Sequence, residues 1–163
     1  MDAFERDIVD LLPRLRRFAR SLTGHPADAD DLAQQTVERA FVQRRRWRPG
    51  TRLDSWMFTI MKHAWIDETR ARRRAGRIFE SDERAFDAAD SAVPAMEVRL
   101  EALEAERALA QLPPDQRIAV ALVLVEGLSY REAAEVLEVP MGTLTSRLVR
   151  GRMALLAQLG EEV

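Results

Sequence analysis

The sequence predicts an all-α protein of two small helical domains joined by a flexible linker, the second domain containing a helix-turn-helix. Three observations carry that expectation. Apolar residues recur at three- and four-residue spacing in both halves of the chain. The repeat lapses from Ser81 to about Met96, where acids, alanines and Pro94 accumulate. A Ser-x-x-Glu string then opens a short helix ahead of a turn and a last amphipathic stretch. With 163 residues, 47% of them apolar, the chain can bury a core; with no cysteine it has neither a disulfide framework nor a thiolate metal cage. The expected domains are 1–77 and 97–163, with residues 78–96 as an acidic linker.

In the first half, Ile8, Leu11, Leu12, Leu15, Phe18, Ala19 and Leu22 line one side of a helix that should stop near Thr23-Gly24. After His25-Pro26, Asp28 is placed to cap a second helix running through Phe41, with Asp31 favouring the positive helix end. Its apolar side is Leu32, Ala33, Thr36, Val37, Ala40 and Phe41. Arg48-Pro49-Gly50 marks a turn. Leu53, Trp56, Met57, Ile60, Met61, Ala64 and Trp65 then build a third helix that runs into the Arg70–Arg74 tract. Three such apolar stripes must bury one another, at roughly 25 cal/mol per Å² removed from water.

In the second half, Leu100, Leu103, Ala108 and Leu112 form a stripe before Pro113-Pro114, and another helix starts around Asp115. The β-branched run Val120 to Val125 could be mistaken for a strand, but it continues a helical core side. Glu126-Gly127-Leu128 interrupts it. Ser129 and Glu132 then make a capping box, Glu138-Val139-Pro140 turns the chain, and Leu144, Leu148, Gly151, Leu155 and Leu159 align along a final helix. Gly142, Ser146, Val149, Arg150 and Met153 fall opposite that stripe, with Thr143 and Arg147 flanking it. This outer side is the one a helix-turn-helix presents to a major groove.

Charge is segregated although the formal total is only -2. Residues 44–77 hold 11 basic and 3 acidic groups, whereas residues 80–110 hold 3 and 9. Arginines often cover helices through their aliphatic stems, but an excess this local also suits a polyanion bound through its phosphates. Trp47, Trp56 and Trp65 recur every nine residues, so on a continuous helix they would alternate sides, and packing explains them better than a stacking platform. His25 and His63 have no companions at metal-ligand spacing. Asp28, Asp30 and Asp31 read as a cap and exposed surface rather than a calcium loop. No nucleophile-base set and no phosphate-cradling glycine loop is present, so neither an enzyme, a metal nor a cofactor is expected. The acidic start, Met1-Asp-Ala-Phe-Glu-Arg-Asp7, does not read as a secretory signal. No apolar run is long enough to span a membrane, so the expected location is cytoplasmic, with no membrane insertion.

The strings Asp28-Ala-Asp-Asp-Leu-Ala-Gln-Gln-Thr-Val-Glu-Arg-Ala-Phe41, Leu53-Asp-Ser-Trp-Met-Phe-Thr-Ile60 and Ile66-Asp-Glu-Thr-Arg70 together resemble the alternative sigma factors of the extracytoplasmic-function (group IV) type, subunits of bacterial RNA polymerase. So do Leu112-Pro-Pro-Asp-Gln-Arg-Ile118, Glu126-Gly-Leu-Ser-Tyr-Arg-Glu-Ala-Ala134 and Pro140-Met-Gly-Thr143 through Arg152. The resemblance implies promoter-specific initiation with the polymerase core and promoter DNA as partners, under an anti-sigma factor. Asp31, Gln34, Gln35 and Glu38 would face the polymerase. Trp56, Lys62 and His63 would capture an unstacked minus-ten strand, with Arg70, Arg72, Arg73 and Arg74 on the neighbouring duplex. Thr143, Ser146, Arg147 and Arg150 would read the minus-thirty-five element. Three positions depart from the pattern: Thr145 stands where lysine is common, His63 where asparagine is, and Gly151 where alanine is. Two other readings are a helix-turn-helix repressor or activator, and an all-helical anti-sigma decoy or scaffold.

Overall fold

In the computed structural model, residues 1–76 and 104–160 are described, and among them every regular element is helical. The expected linker and its flanks therefore lie outside the described residues. Helix α1 spans Ala3–Thr23; the Asp2 carboxylate accepts from Glu5 N–H at 2.9 Å, and Gly24, at φ 73°, ends the helix by donating to Arg20 O. Helix α2 is Pro26–Val42, and it begins two residues before the expected cap. His25 is the N-cap without a side-chain bond, because Pro26 at the first helical position needs no partner for an N–H and already has a helical φ. Asp28 sits instead within the first turn, 3.6 Å from Arg72. A single 3-10 turn, Arg44–Arg46, precedes α3, Leu53–Arg74.

Helices α1, α2 and α3 pack around Leu15, Phe18, Leu22, Leu32, Met57, Phe58 and Met61, all of them inaccessible to solvent. Phe18 and Phe58 meet edge to face at 4.9 Å. Trp65 is buried. Trp56 is half-buried because the turn after the 3-10 segment brings Trp47 back onto it at 5.6 Å, with Phe4 on its other flank at 6.2 Å. All three tryptophans take part in packing, Trp47 and Trp56 with part of their rings still accessible.

In the second half, residues 104–110 form α4 and Pro114–Val120 form α5, which runs into a π-helical stretch, Ala121–Val125. The β-branched run is therefore helical but wound wide: Glu126 N–H reaches Ala121 O, five residues back. Gly127, at φ 75°, turns the chain into α6, Tyr130–Leu137. The capping box forms as expected, with Ser129 N–H on Glu132 at 2.9 Å and Glu132 N–H on the serine oxygen at 3.1 Å. Glu138, at φ 58°, closes α6 in the left-handed conformation, and α7 follows at Met141–Gln158. Leu144, Leu148 and Gly151 carry its buried stripe, which fades to an exposed Leu159.

The two halves are in contact. Helix α1 touches α5 and the π-helical stretch, α3 touches α6, and one apolar cluster continues from Phe4 to Leu148 across both.

Candidate nucleic-acid and protein interfaces

Helix α2 buries Leu32, Ala33, Thr36 and Ala40 and turns Asp31, Gln34, Gln35 and Glu38 to solvent. Positions 31, 34, 35 and 38 are one helical face by spacing. Gln34 donates to Glu38 Oε1 at 3.3 Å, which orders that face and leaves the second carboxylate oxygen of Glu38 to accept from a partner. Exposed Phe41 and Val42 continue the face with apolar surface. The arrangement suits a protein partner that brings donors and an apolar rim.

The basic end of α3 is split by its neighbours. Arg70, Arg73 and Arg74 are exposed and line an open groove with Asp67. Arg72 is only half-exposed, held by Glu68 at 2.9 Å and Asp28 at 3.6 Å. Three of the four expected arginines therefore form one free cationic surface suited to phosphate, and the fourth braces α3 against α2.

Lys62 differs from the expectation of an exposed DNA contact. It is 5% exposed, and its ammonium donates to Val136 O at 2.8 Å, at the C-terminal end of α6. Burial pushes its pKa below the usual lysine value, and Glu138, 3.8 Å away, opposes that shift. The physical reason for its burial is the negative end of α6, which has unpaired carbonyls to offer a cation. His63 is exposed beside it, with Nε2 at 3.7 Å from Glu138. Trp56 is packed as described and presents only part of its ring.

On α7, Gly142, Val149, Arg150 and Met153 are exposed and Ser146 is partly so. Arg150 has no carboxylate within ion-pair reach among the described residues. Arg147 is half-buried and lies 3.7 Å from Asp115, while Thr143 is partly covered. Thr145, at the departure from lysine, is exposed and its hydroxyl donates to Met141 O. The outer side of the final helix is thus open, with Arg150 its freest cation.

Sequence reasoning missed the charged seam between the halves. Glu126 is buried and its carboxylate accepts from Arg17 Nε and Nη2, at 2.9 and 2.8 Å, while Arg14 donates to Glu126 O at 3.3 Å and to Asp54 at 3.1 Å. Arg52 joins Asp54 to Glu132, the carboxylate of the capping box. Burial would raise the Asp54 pKa, but bonds from Arg52, Ser55 N–H and Arg14 hold it below the ordinary carboxylate value. Arg117 donates to Leu22 O at 2.6 Å and to Ala110 O and Leu112 O, and lies over the Trp65 ring at 5.5 Å. The hydrogen bonds that cross between the halves join residues 74 to 112 positions apart, and no local pattern could have paired them.

Comparison with known proteins agrees with this architecture. Residues 8–62 match the family model described as the Sigma2 domain of PhyR, and residues 102–155 match Sigma-70, region 4. The chain is 37% identical to the ECF RNA polymerase sigma factor EcfG of Rhodopseudomonas palustris over 97% of its own length and 86% of the relative's. It is 34% identical to CarQ of Myxococcus xanthus over 98% and 91%. Among solved structures it is similar to the sigma factor RpoE of Bartonella quintana, determined in complex with the anti-sigma factor NepR. That likeness has TM-score 0.82 and 30% identity over the whole of both chains. It is also similar to CnrH in complex with the cytosolic domain of CnrY, with TM-score 0.67 and 26% identity over 96% and 89%. The chain belongs to the extracytoplasmic-function RNA polymerase sigma factors, the subunits that join the polymerase core and direct it to particular promoters. Among the described residues no helix is long and apolar enough to cross a membrane.

Proposed function

We propose that this sigma factor works in the cytoplasm by binding alone, without a catalytic group, and divides its tasks by surface. The face Asp31, Gln34, Gln35 and Glu38 on α2 grips the polymerase core. Arg70, Arg73 and Arg74, with the exposed His63 and with Lys62 once uncovered, hold the minus-ten region, where Arg72 contributes by bracing the helix and Trp56 by its accessible edge. Arg150, with Thr143, Ser146 and Arg147, reads the minus-thirty-five element in the major groove. The domain limits 1–77 and 97–163 follow from this partition. The observation that carries the reading is the coexistence on one chain of an exposed acid-amide face and a helix-turn-helix whose outer side is open.

An anti-sigma factor is the proposed regulator, because a similar sigma factor was solved in complex with the anti-sigma factor NepR. The test is transcription with purified polymerase core on a promoter library, with mapped RNA starts. The expected result is core binding and a restricted set of starts carrying paired upstream elements. A chain that is folded yet binds DNA without recruiting core would be a repressor or activator instead. Co-expression of candidate inhibitors should silence those starts, and promoter activity unchanged by all of them would remove the anti-sigma part.

A further inference from the structure

The first turn of α1 is acidic and yet sits against a run of arginines. Asp2 caps the helix by accepting from Glu5 N–H at 2.9 Å, and its other carboxylate oxygen accepts from Arg44, the first residue of the 3-10 turn. Glu5 lies 3.8 Å from the same guanidinium, and the Phe4 ring lies beneath it at 4.7 Å. The bonds from Glu5 N–H and Arg44 hold the Asp2 carboxyl below its ordinary pKa. Arg44 is thus fixed by two carboxylates and a ring face, whereas Arg45 and Arg46 beside it are exposed.

Phe4 is also the centre of a row of aromatic rings. It meets Phe41 edge to face at 5.8 Å on one side and Trp56 at 6.2 Å on the other, and Trp56 in turn meets Trp47 at 5.6 Å. Phe4 is buried, while both indoles keep part of their rings accessible. The turn that lays Trp47 on Trp56 starts at Arg44, whose carbonyl accepts from Trp47 N–H at 3.1 Å. Arg44 therefore sets the turn through its backbone and is itself set, through its side chain, by Asp2, Glu5 and Phe4.

Carboxylates this close to a surface that holds a nucleic-acid strand reduce its attraction for phosphate. Exposed ion pairs add little to stability by themselves. What these acids return is geometry, because an indole stacks on an unstacked base only when its face is correctly set. We propose that the first turn of α1 is a positioning device for promoter opening: Asp2, Glu5 and Phe4 hold Arg44 and the Trp47–Trp56 pair in the orientation that receives an unstacked base of the minus-ten strand. The proposal rests on the sigma-factor reading. Its three residues act through the indoles and touch no nucleotide.

The sign of one effect separates positioning from electrostatics. Asp2→Ser together with Glu5→Gln removes both anions but keeps an N-cap and a helix-forming side chain, at side chains 46% and 38% exposed. Holoenzyme assembled on polymerase core is titrated with two fragments of a promoter found by start mapping. One is a duplex carrying the minus-thirty-five element alone, and the other is a fork whose minus-ten strand is unpaired. Electrostatics alone makes the double variant bind the fork more tightly, since two negative charges are gone. Positioning makes it bind the fork ~3- to 10-fold more weakly, a fraction of what one base stack is worth. Core affinity and binding to the minus-thirty-five duplex should stay at wild-type values. In the free chain, the near-UV circular dichroism of the tryptophan pair should weaken at an unchanged far-UV signal.

Phe4→Leu, which alters no charge, should reproduce this pattern, and Phe4→Tyr, which keeps the ring, should hold the fork as the wild type does. If Phe4→Leu fails to fold, the double variant at the surface decides the matter. Fork binding by the double variant equal to or tighter than wild type overturns the proposal. So does an equal loss on both fragments, which is general damage rather than positioning. A wild type that holds neither core nor fork would instead sink the sigma-factor reading itself.

Discussion

At Gly151 helix propensity and packing pull in opposite directions. Glycine inside a helix costs roughly 1 kcal/mol relative to alanine, which read alone makes Gly151 a defect on α7. A Cβ at this position would lie 2.7 Å from Val120 Cγ2, 3.2 Å from Gln116 Cβ and 3.3 Å from Gln116 O. Valine is stiff at χ1, and Gln116 Cβ and O are both fixed by the α5 backbone, so neither residue gives way cheaply. The close approach of α5 to α7 outweighs the propensity term, and Gly151→Ala is expected to destabilise by ~1–3 kcal/mol in urea unfolding; a gain in stability would show that α5 can slide. Asp54 carries a second residue-scale prediction. Its folded pKa is depressed, so the stability it contributes is present above the ordinary carboxylate pKa and is lost as pH falls through the lower, folded value. Melting temperature should fall as pH drops below about 4, and Asp54→Asn should lower it at neutral pH while flattening that acid limb.

Elements were legible in the sequence where their signals are local. The capping box at Ser129 and Glu132, the stop at Gly24 and the apolar stripe of α7 each lie within a few residues of the structure they specify. The start of α2 differs from the sequence expectation because an aspartate after a proline looks like a cap, yet the proline itself opens the helix. The π-helical winding of Ala121–Val125 had no sequence signal beyond the glycine that follows it. The candidate faces divide in the same way. Exposure of Glu38 and Arg150 follows from helical period, but burial of Lys62 depends on a carbonyl 74 residues away. Two predictions belong to these helices. Glu38→Arg should weaken core association by at least tenfold while leaving duplex binding by the second domain unchanged, as read by fluorescence anisotropy with each partner. Arg150→Ala should cost about 1–3 kcal/mol at one base pair of the minus-thirty-five element if the arginine reads guanine. A uniform loss across sequences would assign it to phosphate.

For the whole molecule, the seam decides whether two domains behave as one. The described part of the second half, residues 104–160, folds around a small core, a size at which burial alone leaves little stability. Its apolar cluster is continuous with that of the first half, and Arg117 ties the joint by satisfying Leu22 O, Ala110 O and Leu112 O together. Removing the guanidinium strands three carbonyls in a buried place, where an unsatisfied group costs about 1–3 kcal/mol, though water admitted on loosening recovers part of it. Wild-type protein should therefore unfold in one calorimetric transition, with calorimetric and van't Hoff enthalpies equal. In Arg117→Met the transition should split, the second domain melting first, because the first keeps its three-helix core around Phe18 and Phe58. A joint made largely of cations on carbonyls and carboxylates can be exchanged for another polar surface, as a seam of leucines could not. If Arg117→Met still melts in a single transition at the wild-type temperature, the apolar continuity between the halves, rather than the polar seam, is what couples them.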